Sequence, residues 1–178
     1  MSQERAIGTV NGLNLSVEPM FYVGSIVIWA GLGVASGMML GLSTVMAAII
    51  GFVALVLYWI SEIVHQLGHA YAARQTGHPM IGIRLGKFGV FSTSLYPQDE
   101  GTLPAKVHVR RALGGPIGSL LFGLVMGVLA LLLNSAGGVV QWLAFYMVIL
   151  NVGLFAFGPL APLGFTDGST LLEWWGKQ

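Results

Sequence analysis

Two histidines, His65 and His69, bracket the run His65-Gln66-Leu67-Gly68-His69. On a helix, residues four apart lie one above the other on the same face. That spacing suits two imidazoles gripping one Zn²⁺. In zinc-hydrolase helices of this form a glutamate follows the first histidine and acts as general base. Here that position is Gln66, and a carboxamide does not accept a proton at neutral pH. The residues point to a metal site without the group that would move the proton. Glu62 lies three residues before His65, on roughly the same side of the helix. Three roles are open to it: a carboxyl hydrogen-bonded to Ser61 or another helix, an acceptor outside the ligand set that orients a histidine, or a weak base.

The elements that must position these groups follow from composition. The 178 residues are 55% hydrophobic and 8% charged, with mean hydropathy +0.79. A soluble domain carries about 25% charged residues, so the chain reads as an integral, multi-pass membrane protein. No Asp, Glu, Lys or Arg occurs from Pro19 to Ser61 or from Ala112 to Thr166. One spanning helix needs roughly 20 apolar residues, so each stretch holds two passes. The expected fold is an all-α polytopic bundle of about four transmembrane helices, near 20–38, 43–72, 113–133 and 139–158. A short final helix is expected over 169–175. We read 1–178 as a single membrane-embedded core. Its polar first segment, 1–18, lacks the basic-then-apolar layout of a cleaved signal peptide.

Between the second and third helices lies a polar region, about 74–111. Ile81, Ile83 and Leu85 alternate there with Gly82, Arg84 and Gly86, and Phe91–Leu95 reads as a returning strand. A small membrane-associated β-hairpin or sheet is therefore expected between helices 2 and 3. Six of the eight Lys and Arg fall in this region: Arg74, Arg84, Lys87, Lys106, Arg110 and Arg111. The positive-inside rule puts it, the metal-site side and both termini in the cytoplasm, in a bacterial or archaeal plasma membrane. These basic residues are expected to meet anionic headgroups. Trp174 and Trp175 are expected to anchor the last helix at the interface.

The same topology supplies a third ligand. Asp167 falls just beyond the end of helix 4, on the side where His65 and His69 end helix 2. A catalytic zinc takes three protein ligands and keeps one open position, which His65, His69 and Asp167 would provide for one Zn²⁺ per chain. The competing use of Asp167 is as N-cap of the final helix. His78 and His108 are read as loop histidines, or as substitute ligands. There is no cysteine, so thiolate sites and disulfides are excluded, and a net charge of +1 gives no support for nucleic-acid binding. Gly33-x-x-x-Gly37, Gly114-x-x-x-Gly118 and Gly123-x-x-x-Gly127 allow close helix approach, within the bundle or in a homo-oligomer. The Gly114-Gly115-Pro116 segment reads as a break that bends the backbone beside the metal and admits water.

Three segments together resemble one family. Leu67-Gly68-His69-Ala70 after His65 is similar to the HExGHA helix of the site-2 proteases, the intramembrane zinc metalloproteases. Arg111-Ala112-Leu113-Gly114-Gly115-Pro116-Ile117-Gly118-Ser119 resembles that family's entry into the next membrane helix. Pro162-Leu163-Gly164-Phe165-Thr166-Asp167-Gly168 resembles its proline-then-DG motif, whose aspartate binds zinc. The resemblance implies a metalloendopeptidase whose substrate is itself a transmembrane helix of a membrane protein, cut within or near the bilayer to release a tethered regulator. It implies that the strand segment, about 80–95, pairs with unwound substrate. Ile81, Ile83, Leu85, Gly114, Gly115, Pro116 and Asn151 become candidate substrate contacts. The chain departs from the family at Gln66, and at the asparagine shortly before the DG motif, where Pro159 stands at the usual offset. Gln66 then marks either an engineered substrate trap or a natural pseudoprotease that holds membrane clients around a structural zinc. A channel or transporter subunit is the third reading, and the metal-type motifs speak against it.

Overall fold

The computed structural model describes residues 4–177. The first hairpin comprises β1 (Arg5–Val10) and β2 (Leu13–Val17). Two long helices follow, α1 (Met20–Leu40) and α2 (Thr44–Gln75). A second hairpin, β3 (Gly82–Lys87) and β4 (Phe91–Leu95), leads into α3 (Ala105–Leu132). After a 3₁₀ turn at Asn134–Ala136, α4 (Gly138–Val148) widens into π-helical geometry over Ile149–Phe157 and ends in a 3₁₀ turn at Gly158–Leu160. The short α5 (Asp167–Trp174) closes the chain.

Among the described residues, four helices are long and apolar enough to cross a bilayer: Met20–Leu40, Thr44–Gln75, Ala105–Leu132 and Gly138–Leu160. This is the expected polytopic bundle. The α1–α2 turn uses Gly41 in the left-handed conformation (φ 63°), and the Ser43 hydroxyl accepts from the Met46 N–H at 3.4 Å to cap α2. Small residues set the crossings, as they do where lipid supplies no hydrophobic drive. A Cβ on Gly51 would lie 2.6 Å from the Gly33 Cα, and one on Gly114 would lie 2.5 Å from the Gly68 carbonyl oxygen.

Two boundaries differ from expectation for a common reason. The helix expected at 113–133 begins at Ala105, and α2 runs to Gln75. Charged residues (Lys106, Arg110, Arg111, Arg74) extend each helix past the apolar stretch that marked it. The Gly114-Gly115-Pro116 segment is not a break: α3 runs through Pro116. The glycines act by letting α3 lie against α2.

The sheet is larger than expected. Its four strands run in the order β1-β2-β3-β4, with β2 and β3 parallel and both hairpins antiparallel. The segment read as a plain polar tail thus supplies half the sheet. Asn11 (φ 48°) and Gly12 (φ 78°) form the tight turn between β1 and β2, the Asn-Gly signature of a two-residue hairpin. Leu13, Val17, Ile83 and Leu85 pack with Tyr58 and Trp59 of α2 in one core.

The β3–β4 turn is driven into the bundle. A Cβ on Gly86 would lie 2.7 Å from that of Phe21, one on Gly24 would collide with the Gly89 carbonyl, and the Tyr58 hydroxyl donates to the Val90 carbonyl at 2.5 Å. This wedge between α1 and α2 carries β4 past the middle of α2.

Candidate metal centre

The helical spacing puts His65 and His69 on one buried face of α2, each 5% exposed. Their Nε2 atoms are 3.0 Å apart, and the Asp167 Oδ2 is 3.5 Å from both. Asp167 is the first residue of α5. The N-cap is Thr166 and no side chain caps the helix, so the carboxylate is free to face the histidines.

The far side of each ring decides what Nε2 presents. The His69 Nδ1 lies 2.7 Å from the Arg111 carbonyl oxygen. A carbonyl has no proton to give, so Nδ1 carries it and Nε2 keeps a lone pair. The Gly115 N–H, 3.2 Å from the same Nδ1, is the weaker contact. The His65 Nδ1 pairs with the fully buried Ser119 hydroxyl at 3.0 Å. The hydroxyl serves either His65 tautomer; with Nδ1 protonated there too, two Nε2 lone pairs and a carboxylate converge, a donor set that fits a cation. Ligands at about 2.05 Å in a tetrahedral shell stand about 3.3 Å from one another, close to the 3.0 and 3.5 Å separations here. Space is reserved as well. A Cβ on Gly115 would lie 2.5 Å from the His65 Nε2 and would also strike the His69 Nε2, so the missing side chain keeps the histidine tips uncovered. Donor chemistry, spacing and space all fit one zinc ion.

The cluster opens on a cavity of about 620 Å³ whose lining includes Glu62, Gln66, Ser92, Ser94, Arg111 and Pro159. Gln66 is 4% exposed. Its Nε2 donates to the Ser92 hydroxyl at 2.7 Å, and its Oε1 accepts from the Ser94 hydroxyl at 2.6 Å. Glu62 also lines the cavity, but the Nδ1 partners of the histidines are Ser119 and the Arg111 carbonyl. Glu62 does not orient either ring.

Other expected contacts fall elsewhere. Ile83 and Leu85 are core residues (0% and 3% exposed) on β3, which is paired on both sides, and Ile81 precedes that strand. An interior strand has no free edge to offer, so these three cannot hold substrate by strand addition. The free edge beside the cavity belongs to β4. Asn151 is fully buried between helices, donating to the Ser61 hydroxyl at 3.0 Å and the Met147 carbonyl at 2.9 Å. It is not a wall of the cavity. Gly114 and Gly115 serve the α2–α3 crossing and the histidines, and Pro116 is buried in α3. His78 lies 3.9 Å from Glu100, and His108 stacks on Trp174 at 4.3 Å, so neither replaces Asp167. That stack also holds Trp174 against α3, whereas Trp175 stays exposed.

Arg111 is not a headgroup contact. Its side chain is buried, bidentate to Glu100, donates to the His78 carbonyl at 2.6 Å, and lies 4.0 Å over the Tyr96 ring. Hydrogen bonding to Arg111 keeps the Glu100 carboxyl below its usual value, and burial pushes Tyr96 up to about 12. Arg84 likewise pairs with Glu4 at 2.6 Å. Sequence reasoning missed Ser92, Ser94, Glu100 and the role of Ser119. For Ser119 the available signal was a polar residue in an otherwise apolar helix; Glu100, in a polar loop, and the hydroxyl-rich β4 gave none.

Fold and site together define a polytopic helical membrane protein with a two-histidine, one-carboxylate donor cluster beside the hairpin wedged between α1 and α2. The solved structure of a site-2 protease from Methanocaldococcus jannaschii has the same fold. The match has a TM-score of 0.65 at 19% identity, covering 95% of this chain and 69% of that one. No protein-family model and no curated protein sequence matches the chain.

Proposed function

We propose that this protein is an intramembrane zinc metallopeptidase of site-2 type in a form that lacks its general base. The observation that carries the reading is the convergence of His65, His69 and Asp167 inside a cavity flanked by a free strand edge. Bound there, zinc would polarise a scissile carbonyl and acidify water. The protein's own residues do the rest. The two imidazoles are held at Nδ1 so that Nε2 faces the ion, and Asp167 completes the donor set. The open edge of β4 aligns an extended peptide by main-chain hydrogen bonds, which requires the substrate helix to unwind locally. Gln66 occupies the place from which a carboxylate would take a proton, and it cannot do so. The substrate class is a transmembrane segment of another membrane protein. The positive-inside rule favours a cytoplasm-facing site.

Gln66→Glu tests this. General base catalysis contributes roughly 10²–10⁴-fold, so cleavage of a reconstituted transmembrane peptide should rise by that order while zinc affinity changes by less than about threefold. An unchanged cleavage rate contradicts the reading. The alternative is a client-binding protein with a structural zinc, which the neutral Gln66 amide, paired at both ends, equally accommodates. High-affinity peptide binding with no gain in Gln66→Glu is its signature.

A further inference from the structure

We propose that Ser92 and Ser94 of β4 are positioning residues for the side chain at position 66, fixing its functional group between the strand edge and the two imidazoles. The inference rests on the peptidase reading and deepens it.

The first support is where the serines stand. In the β3–β4 pair, Ser94 lies opposite Ile83 and Ser92 opposite Leu85. Directly opposed residues of an antiparallel pair share a face. On β3 that face is buried, with Ile83 and Leu85 at 0% and 3% exposed, whereas β4 is half-buried and turns its two hydroxyls, two residues apart as the strand period sets them, to the cavity wall beside Gln66. Contact with β3 does not account for them. Gln66 does: it receives one hydrogen bond and gives one, at 2.6 and 2.7 Å.

The second support is the chemistry of the pair. A hydroxyl rotates to donate or accept. Facing a carboxamide, Ser94 donates and Ser92 accepts. Facing a carboxylate, both donate. The clamp therefore holds glutamine and glutamate in one place, and it fits the proton acceptor that position 66 lacks. It also ties α2 to the strand that would carry the substrate, so the group at 66 and the peptide edge share one frame. The β3–β4 turn, wedged by Gly24, Gly86 and Gly89 against α1, keeps that frame fixed.

Two measurements test the proposal. In the unsubstituted protein in micelles, NMR of the Gln66 side-chain amide should show slowed solvent exchange. Ser92→Ala with Ser94→Ala should speed it at least tenfold, and the paired Thr substitutions should keep it slow. Equal exchange in the wild type and the double alanine variant overturns the clamp. In a Gln66→Glu background, the double alanine change should lower kcat about 10–100-fold, the cost of misplacing a reacting group by about 1 Å. KM for the transmembrane peptide should be unchanged, and Thr should restore the rate. A matching loss in KM, or no loss in kcat, overturns the positioning role. If Gln66→Glu cleaves nothing, the peptidase reading fails, and the amide exchange still decides the clamp.

Discussion

Gly115→Ala puts a methyl group where the tips of His65 and His69 leave no room. Its Cβ would sit 2.5 Å from the His65 Nε2 and 2.6 Å from the Cε1, whereas ordinary contact begins at 3.4 Å. The His65 ring must retreat by about 0.9 Å, the difference between 3.4 and 2.5 Å, and the nearer His69 ring by more. Both are tips of side chains and can swing, so the backbone survives at an overpacking cost of about 1–3 kcal/mol. Swinging breaks the Nδ1 contacts to Ser119 and the Arg111 carbonyl and spoils a donor set that tolerates about 0.2 Å. Zinc affinity should fall at least about 100-fold, or about 2.8 kcal/mol. Competition against a chromophoric chelator in micelles reads the affinity, and thermal unfolding of the metal-free protein reads the fold. Gly68→Ala is the contrasting case. Its Cβ would collide with the Gly114 backbone carbonyl, so the bundle should lose stability even without metal. Zinc binding by Gly115→Ala within about threefold of wild type would refute the geometric argument.

Ser119→Ala removes the partner of the His65 Nδ1 and should weaken zinc binding about 10–100-fold, measured by the same competition, with little change in metal-free stability. Glu100 has its folded pKa depressed by Arg111. Its contribution is therefore present above the unfolded value of about 4.3 and is lost as pH falls through the lower folded value. Glu100→Gln should accordingly flatten the acid limb of Tm against pH and lower Tm near neutrality, whereas an unchanged acid limb would assign that limb to other carboxylates.

Helix number and the clustering of His65 and His69 were legible because each leaves a one-dimensional trace. Long charge-free runs mark spans, and four-residue spacing marks a shared helical face. Asp167 was legible only through topology, since pairing the spans brings its end of helix 4 beside that of helix 2. The place of β3 in the sheet was not legible because alternation at Ile81, Ile83 and Leu85 marks a strand and says nothing of its neighbours. The parallel pairing of β2 with β3 buried that strand in the middle of the sheet. The Asn11-Gly12 turn was visible but was overshadowed by the polar composition around it. Arg111 read as one of a basic cluster because its partner, Glu100, lies across a loop.

The most direct measurement is metal content with ligand identity: elemental analysis of the purified protein alongside zinc K-edge absorption. The account requires one zinc per chain in a shell of two imidazole nitrogens and light oxygen donors, with occupancy lost in His65→Ala, His69→Ala and Asp167→Ala alike. A protein that folds and takes up no zinc, or whose zinc shell is unchanged in Asp167→Ala, would contradict it.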